Sequence, residues 1–162
     1  KDGKEDGLYT EWYENGQKSG EGTFKDGKED GLYTLWYVSG QMSFKGTYKD
    51  GEMNGKVTKW YKNGQKTTEH TYKNGKREGI MTEWYENGQK KWERTYKEEE
   101  WISEKRWYEN GQKGSEGTYK DGKRDGLQTW WYEDGQKSSE ETFKDGKEIS
   151  SKRWNEDGSV KE

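Results

Sequence analysis

Residues able to do chemistry are few in this chain of 162 residues, and they do not converge. The single histidine, His70, has neither a cysteine nor a second histidine with which to build a zinc site or a nucleophile dyad. It stands where sister segments carry Gly22 and Gly46, and we read it as a surface substitution. Asp2-x-Lys4-x-Asp6-Gly7 has the outline of a calcium loop, but Lys4 occupies a ligand position and Tyr13 the place of the bidentate glutamate. Glu98-Glu99-Glu100 reads as solvating charge in a turn, not as an acid–base pair facing a pocket. The expectation is therefore no catalytic residue, no metal site, no cofactor and no enzymatic activity.

What the chain has in quantity is rings: ten tryptophans and twelve tyrosines. Trp12, Trp36, Trp60, Trp84, Trp107, Trp131 and Trp154 recur at steps of 24 residues, with two steps of 23. Tyr13, Tyr37, Tyr61, Tyr85, Tyr108 and Tyr132 follow six of them directly. Exposed rings among Glu, Asn and Gln suit a protein or glycan partner, whereas in a sheet without an aliphatic core the same rings serve as its packing. We read the tryptophan ladder as structural and expect the tyrosine ladder to offer the more accessible hydroxyls. Trp92, Trp101 and Trp130 lie off the ladder, where the repeat frame does not require them, and are the candidate partner-binding residues.

The elements that must position these rings follow from the same period. Each unit of about 24 residues carries a Lys-Asp-Gly-Lys turn, a strand ending in Trp-Tyr, an Asn-Gly turn and a polar strand. Asn-Gly and Asp-Gly between alternating segments predict two-residue type I′ hairpins. The fold class is all-β: an elongated, twisted, single-layer antiparallel β-meander of tandem hairpins, thirteen or fourteen strands in all. We place the repeats at 1–24, 25–48, 49–72, 73–96, 97–119 and 120–143, with a partial C-terminal cap at 144–162. Repeat five has lost both glycines of the Asp-Gly-x-x-x-Gly element and one residue, which predicts a distorted connection or bulge.

Pairing through Asn15-Gly16 predicts Tyr13 opposite Lys18, Trp12 opposite Ser19, Tyr9 opposite Gly22 and Leu8 opposite Thr23. Period-two alternation then puts Leu8, Thr10, Trp12, Ser19, Glu21 and Thr23 on one face, and Tyr9, Glu11, Tyr13, Gly20, Gly22 and Phe24 on the other. The strand glycines leave room for rings to lie flat over the backbone.

Composition narrows the partners. Only 23% of residues are apolar and 39% are charged, yet the net charge is −3, with both signs interleaved in every repeat. Nucleic acid and anionic membrane call for clustered positive charge, which Lys105-Arg106 and Lys152-Arg153 do not supply, so no nucleic-acid partner is expected. No apolar run reaches the ~20 residues that span a bilayer, so no transmembrane segment is expected. Without cysteine, redox chemistry says nothing of the compartment. The chain opens inside a repeat at Lys1-Asp2-Gly3, and we expect a preceding segment whose nature decides between bacterial cytoplasm and cell surface.

The unit Asp-Gly-x-x-x-Gly-Leu-x-Thr-x-Trp-Tyr-Glu-Asn-Gly-Gln-Lys resembles the bacterial variant MORN repeat, found in proteins labelled YwqK-family antitoxins. The resemblance covers essentially the whole chain, and repeats five and seven depart from it in their turn glycines. It implies a single-layer antiparallel array without enzymatic activity and, through the antitoxin label, a toxin protein as partner. The family motif is structural and carries over no binding residue. A fainter likeness to choline-binding cell-wall repeats, which place Gly-Trp and Trp-Tyr-Tyr differently, supports the alternative of a cell-envelope carbohydrate-binding module. The expected function is a repeat scaffold for protein–protein interaction, with self-association through edge strands as a further route.

Overall fold

A computed structural model describes residues 5–161, so Lys1–Lys4, and with them Asp2 and Lys4 of the calcium-loop outline, fall outside the described residues. Every regular element described is a β-strand. The chain divides into two compact units, Lys1–Glu78 and Gly79–Glu162.

The first unit contains β1 (Gly7–Trp12), β2 (Lys18–Lys25), β3 (Lys28–Trp36), β4 (Met42–Lys49), β5 (Glu52–Met53), β6 (Gly55–Trp60) and β7 (Lys66–Lys73). Strands β5 and β6 are the two parts of one strand interrupted at Asn54; both pair with β4. Strand β8 (Lys76–Trp84) begins just before the boundary and pairs with β9 (Lys90–Lys97). There follow β10 (Glu100–Trp107), β11 (Lys113–Lys120), β12 (Lys123–Trp131), β13 (Lys137–Lys144) and β14 (Lys147–Arg153). Within each unit, neighbours in sequence are antiparallel neighbours in the sheet, the single-layer meander that the hairpin spacing predicts.

The Lys-Asp-Gly-Lys turns are type I′ as expected, with positive φ at both central residues: 53° and 79° at Asp26-Gly27, 50° and 72° at Asp121-Gly122. The Asn-Gly turns are not. Only the glycine is left-handed (Gly16, φ 82°), and the hairpin closes through Gly16 N to Tyr13 O at 2.9 Å and Tyr13 N to Gln17 O at 2.8 Å. This is a type I turn followed by a left-handed glycine that forms a bulge. Asparagine serves there as an acceptor: Asn15 Oδ1 takes the Gln17 N–H at 3.1 Å, and Asn63, Asn87 and Asn110 repeat the contact. The extra turn residue corrects the register at the hairpin's end, where Trp12 faces Lys18, not Ser19. Beyond the bulge, Leu8 faces Thr23 and Tyr9 faces Gly22, as predicted.

Repeat five has the bulge that its shortened sequence predicts, in an instructive form. Its turn keeps the type I′ shape on two glutamates, Glu98 (φ 52°) and Glu99 (φ 69°), a conformation in which L-residues without a short polar side chain are strained by about 1–2 kcal/mol each. The following bulge, between Trp101 and Ser103, adds one residue to β10. Between Gly22 and Phe24 the partner strand gains two, passing through Gly31 at φ 116°. Deleting one residue therefore removes the need for that glycine and makes the connection more regular.

Both faces carry side chains, and the buried apolar residues Phe44, Val57, Tyr96 and Phe143 all lie on the glycine face. There the Tyr33 ring lies over Gly22 so closely that a Cβ would collide with it, and Phe44 and Val57 close over Gly46. At the C-terminal end, a bridge between Trp154 and Val160 and a Lys161 N to Arg153 O bond fold the last residues onto the outer edge of β14.

Candidate functional site

The two ladders are tied into the frame. Tyr13, Tyr37, Tyr85, Tyr108 and Tyr132 each donate their hydroxyl to the main-chain carbonyl of the tryptophan one repeat on: Trp36, Trp60, Trp107, Trp131 and Trp154, at 2.6–3.0 Å. Those hydroxyls, expected to be open to a partner, are instead the bonds that join successive hairpins. On the opposite face, lysines bridge the tryptophan ladder. Lys18 lies 5.8 Å from the Trp12 ring and 5.9 Å from Trp36, while pairing with Glu21. Lys113 stands over one ladder ring, Trp131, at 5.0 Å, and pairs with Glu116 at 3.0 Å. Ladder rings thus touch through the intervening strand's cation, with the ring quadrupole facing the charge.

The glycine face is best read as rows across the sheet. In the first unit the central row runs Tyr9, Gly22, Tyr33, Gly46, Val57 and His70, a large side chain beside a small one at nearly every step. His70 is buried, 7% exposed, opposite Val57, with its ring 4.8 Å from Tyr72. That overturns the surface reading: Val57 is smaller than the tyrosines at its sister positions, and the imidazole fills the difference. Its Nδ1 has no hydrogen-bond partner, and burial, aided by Arg77 and Lys59, pushes its pKa down to about 4.

In the second unit the same row runs Met81, Arg94, Glu104, Gly117, Gln128, Glu141 and Ser151. Glu104 is buried, and its two oxygens are divided between Arg94 Nε at 2.5 Å and Arg106 Nε at 2.6 Å. Burial alone would weaken the Arg94 cation, but the Glu104 carboxylate outweighs it and pushes the Arg94 pKa up.

The off-ladder tryptophans gather around this network. The Arg94 guanidinium sits 4.5 Å from the Trp92 ring and 4.5 Å from the Trp101 ring, a cation held between two indoles. Trp101 stacks on Tyr119 at 4.2 Å and donates its indole N–H to Ser103 O at 2.9 Å. Trp130 lies on β12, where the Arg124 guanidinium stands 5.2 Å from its ring and 5.3 Å from Phe143. All three tryptophans are half-buried.

Strand β11 runs between these clusters with small residues on this face, Ser115 and Gly117. The small residues leave a cavity of about 120 Å³, walled by Glu104 and Arg106 on β10 and by Arg124, Gln128 and Trp130 on β12, with Tyr119 at one end. Gln128 crosses Gly117 where a Cβ would collide with it, and bonds Thr118 O at 2.7 Å. Glu104, Arg94, Arg106, Arg124 and Gln128 escaped the sequence reading. The available signal was the repeat column: Glu104 and Gln128 stand where Tyr9 and Tyr33 do, and Arg94 where Gly22 does.

A tandem array of β-hairpins, tied rung to rung by tyrosine-to-carbonyl bonds and differing between copies chiefly in what fills its faces, is a repeat scaffold. The chain belongs to the MORN repeat variant family, whose repeat profile matches residues 5–26, 29–50, 53–74, 77–98, 103–121 and 124–145. No curated protein matches the chain. Among the described residues, no helix is long and apolar enough to cross a membrane.

Proposed function

We infer that this repeat scaffold binds a protein partner through the glycine face of its second unit, with Trp92, Trp101 and Trp130 as the contact residues. The observation that supports this is their placement: three residues the repeat frame does not require share one face, Trp92 and Trp101 around Arg94, and Trp130 beside Arg124 in the wall of a cavity that Arg106 also lines. Tryptophan and arginine are the residue types that dominate interface energetics, and a preordered sheet loses little entropy on binding. The glycan alternative is less well supported, because sugar stacking needs a bare ring face and guanidinium groups already cover Trp92, Trp101 and Trp130. A toxin protein of bacterial origin is the narrower form of this reading, on the resemblance to YwqK-family antitoxins alone. Self-association through β14 would use the edge from Lys147 to Lys152, because the C-terminal residues pair with its Arg153–Trp154 end.

The test is affinity capture from the source cell with the chain and with its Trp92→Ser/Trp101→Ser/Trp130→Ser variant. A partner protein held by the first and released by the second supports the reading. Retention by both moves the contact elsewhere, and capture of polysaccharide alone favours the glycan alternative.

A further inference from the structure

The cavity over β11 has a chemistry of its own. Its floor is Ser115 and Gly117, and its walls stand two strands apart, about 9.6 Å at ~4.8 Å per strand, which leaves room for one inserted side chain. Its volume of about 120 Å³ equals roughly four waters at ~30 Å³ each, too small for an organic cofactor and enough for the end of an acidic side chain. In the first unit the equivalent trough over Gly20 and Gly22 is closed by Leu35 and the Tyr33 ring. In the second, Gln128 replaces that ring and leaves the floor beside Ser115 open.

Charge decides what fits. Glu104 has both oxygens committed to Arg94 and Arg106, and Glu116 is paired with Lys113. Arg106 spends only its Nε on Glu104. Among the described residues Arg124 has no carboxylate in ion-pair range; it is held instead between the rings of Trp130 and Phe143. An exposed guanidinium beside two rings, with its planar fork unmatched, suits a carboxylate bound by two parallel hydrogen bonds.

Resting on the protein-binding reading above, we propose that this cavity is a seat for one carboxylate of the partner, an aspartate or glutamate side chain inserted over Ser115, beside the Gln128 amide that covers Gly117, and gripped by Arg124, with Trp130 as its wall. Of the two arginines that line the cavity only Arg124 lacks a carboxylate partner, and its planar fork matches the two oxygens of one carboxylate.

The probes are a terminally blocked peptide with one central glutamate, the same peptide with glutamine, and inorganic phosphate at matched ionic strength. Each is titrated into the isotope-labelled chain while the Arg124 Nε–H and Trp130 indole N–H resonances are followed. The glutamate peptide is expected to shift both saturably and the glutamine peptide neither. Arg124→Gln is expected to weaken binding at least tenfold. Gln128→Tyr, which restores the ring-over-glycine arrangement of Tyr33 and Gly22, is expected to abolish binding while leaving the remaining backbone resonances in place. Equal shifts from the glutamine peptide, saturation by phosphate at lower concentration, or undiminished binding by Gln128→Tyr would each overturn the proposal. If the captured partner is lost by the triple tryptophan variant but kept by Arg124→Gln, the contact surface stands and the carboxylate seat falls. If both variants keep it, both readings fall.

Discussion

From Tyr9 to His70 the central row of the glycine face is filled by packing; from Met81 to Ser151 the same row is filled by charge. The backbone frame is alike in the two units, with the same hairpin turns and the same tyrosine-to-carbonyl rungs. In the first, a ring beside a glycine fills each step, and the exception, Val57 with His70, conserves the volume with a smaller and a larger residue. In the second, Arg94, Glu104, Gln128 and Glu141 replace apolar groups and glycines, and rings move outward to sandwich the cations. The frame thus specifies the fold without specifying its faces. A face built from charges and indoles is costly as packing but offers donors, rings and a cavity to a partner, which is why we propose the binding surface there.

The comparison can be sharpened first at His70. Its pKa is held near 4 in the folded chain and near 6.5 when unfolded, so folding excludes a proton that the unfolded chain takes up. The associated stability is fully present above pH 6.5, declines as pH falls toward 4, and amounts to about 3 kcal/mol at 1.36 kcal/mol per unit. Thermal unfolding between pH 4.5 and 7 measures it. His70→Gln, whatever its absolute stability, is expected to lose that slope.

Next is Gly22→Ala, whose new methyl group meets the Tyr33 ring. The expected cost is about 2 kcal/mol by chemical denaturation, as for an overpacked core. Gly117→Ala in the second unit meets only the end of Gln128 and is expected to cost about 1 kcal/mol, provided that the amide swings aside. Equal costs would erase the contrast between ring and amide packing. In the opposite direction, Glu99→Gly relieves a left-handed glutamate and is expected to stabilise the second unit by about 1 kcal/mol. The smallest effect belongs to the ladder face: Lys137→Ala removes an exposed pair with Glu140 and is expected to change stability by less than about 0.5 kcal/mol.

How much of this was legible in the sequence depended on whether a residue acts locally. Hairpin spacing and strand alternation placed Tyr9 opposite Gly22 correctly, because register away from a turn depends on the count of residues alone. Asn15-Gly16 misled because asparagine followed by glycine suits both a type I′ turn and a type I turn with a bulge, and the two differ by one residue of register. Trp92, Trp101 and Trp130 stood out as departures from the ladder, but their shared face and their guanidinium partners depend on strand-to-strand pairing. The Arg94–Glu104 pair joins different strands across a turn, so neither residue signals it alone. His70 was misplaced because its residue type suggests the surface, while its column, occupied by buried Gly22 and Gly46, shows the interior.

The contrast between packing and charge is tested most directly by a double-mutant cycle on Arg94 and Glu104, read by equilibrium unfolding and by hydrogen exchange of the β9 and β10 amides. Glu104→Ala alone leaves the half-buried Arg94 without its carboxylate and is expected to cost about 3–5 kcal/mol. The Arg94→Ala/Glu104→Ala double variant is then expected to fall short of the sum of the two single costs by about 2 kcal/mol or more. Additivity within about 0.5 kcal/mol would contradict the account, for it would mean that the charged row of the second unit is a set of separate side chains and not a network.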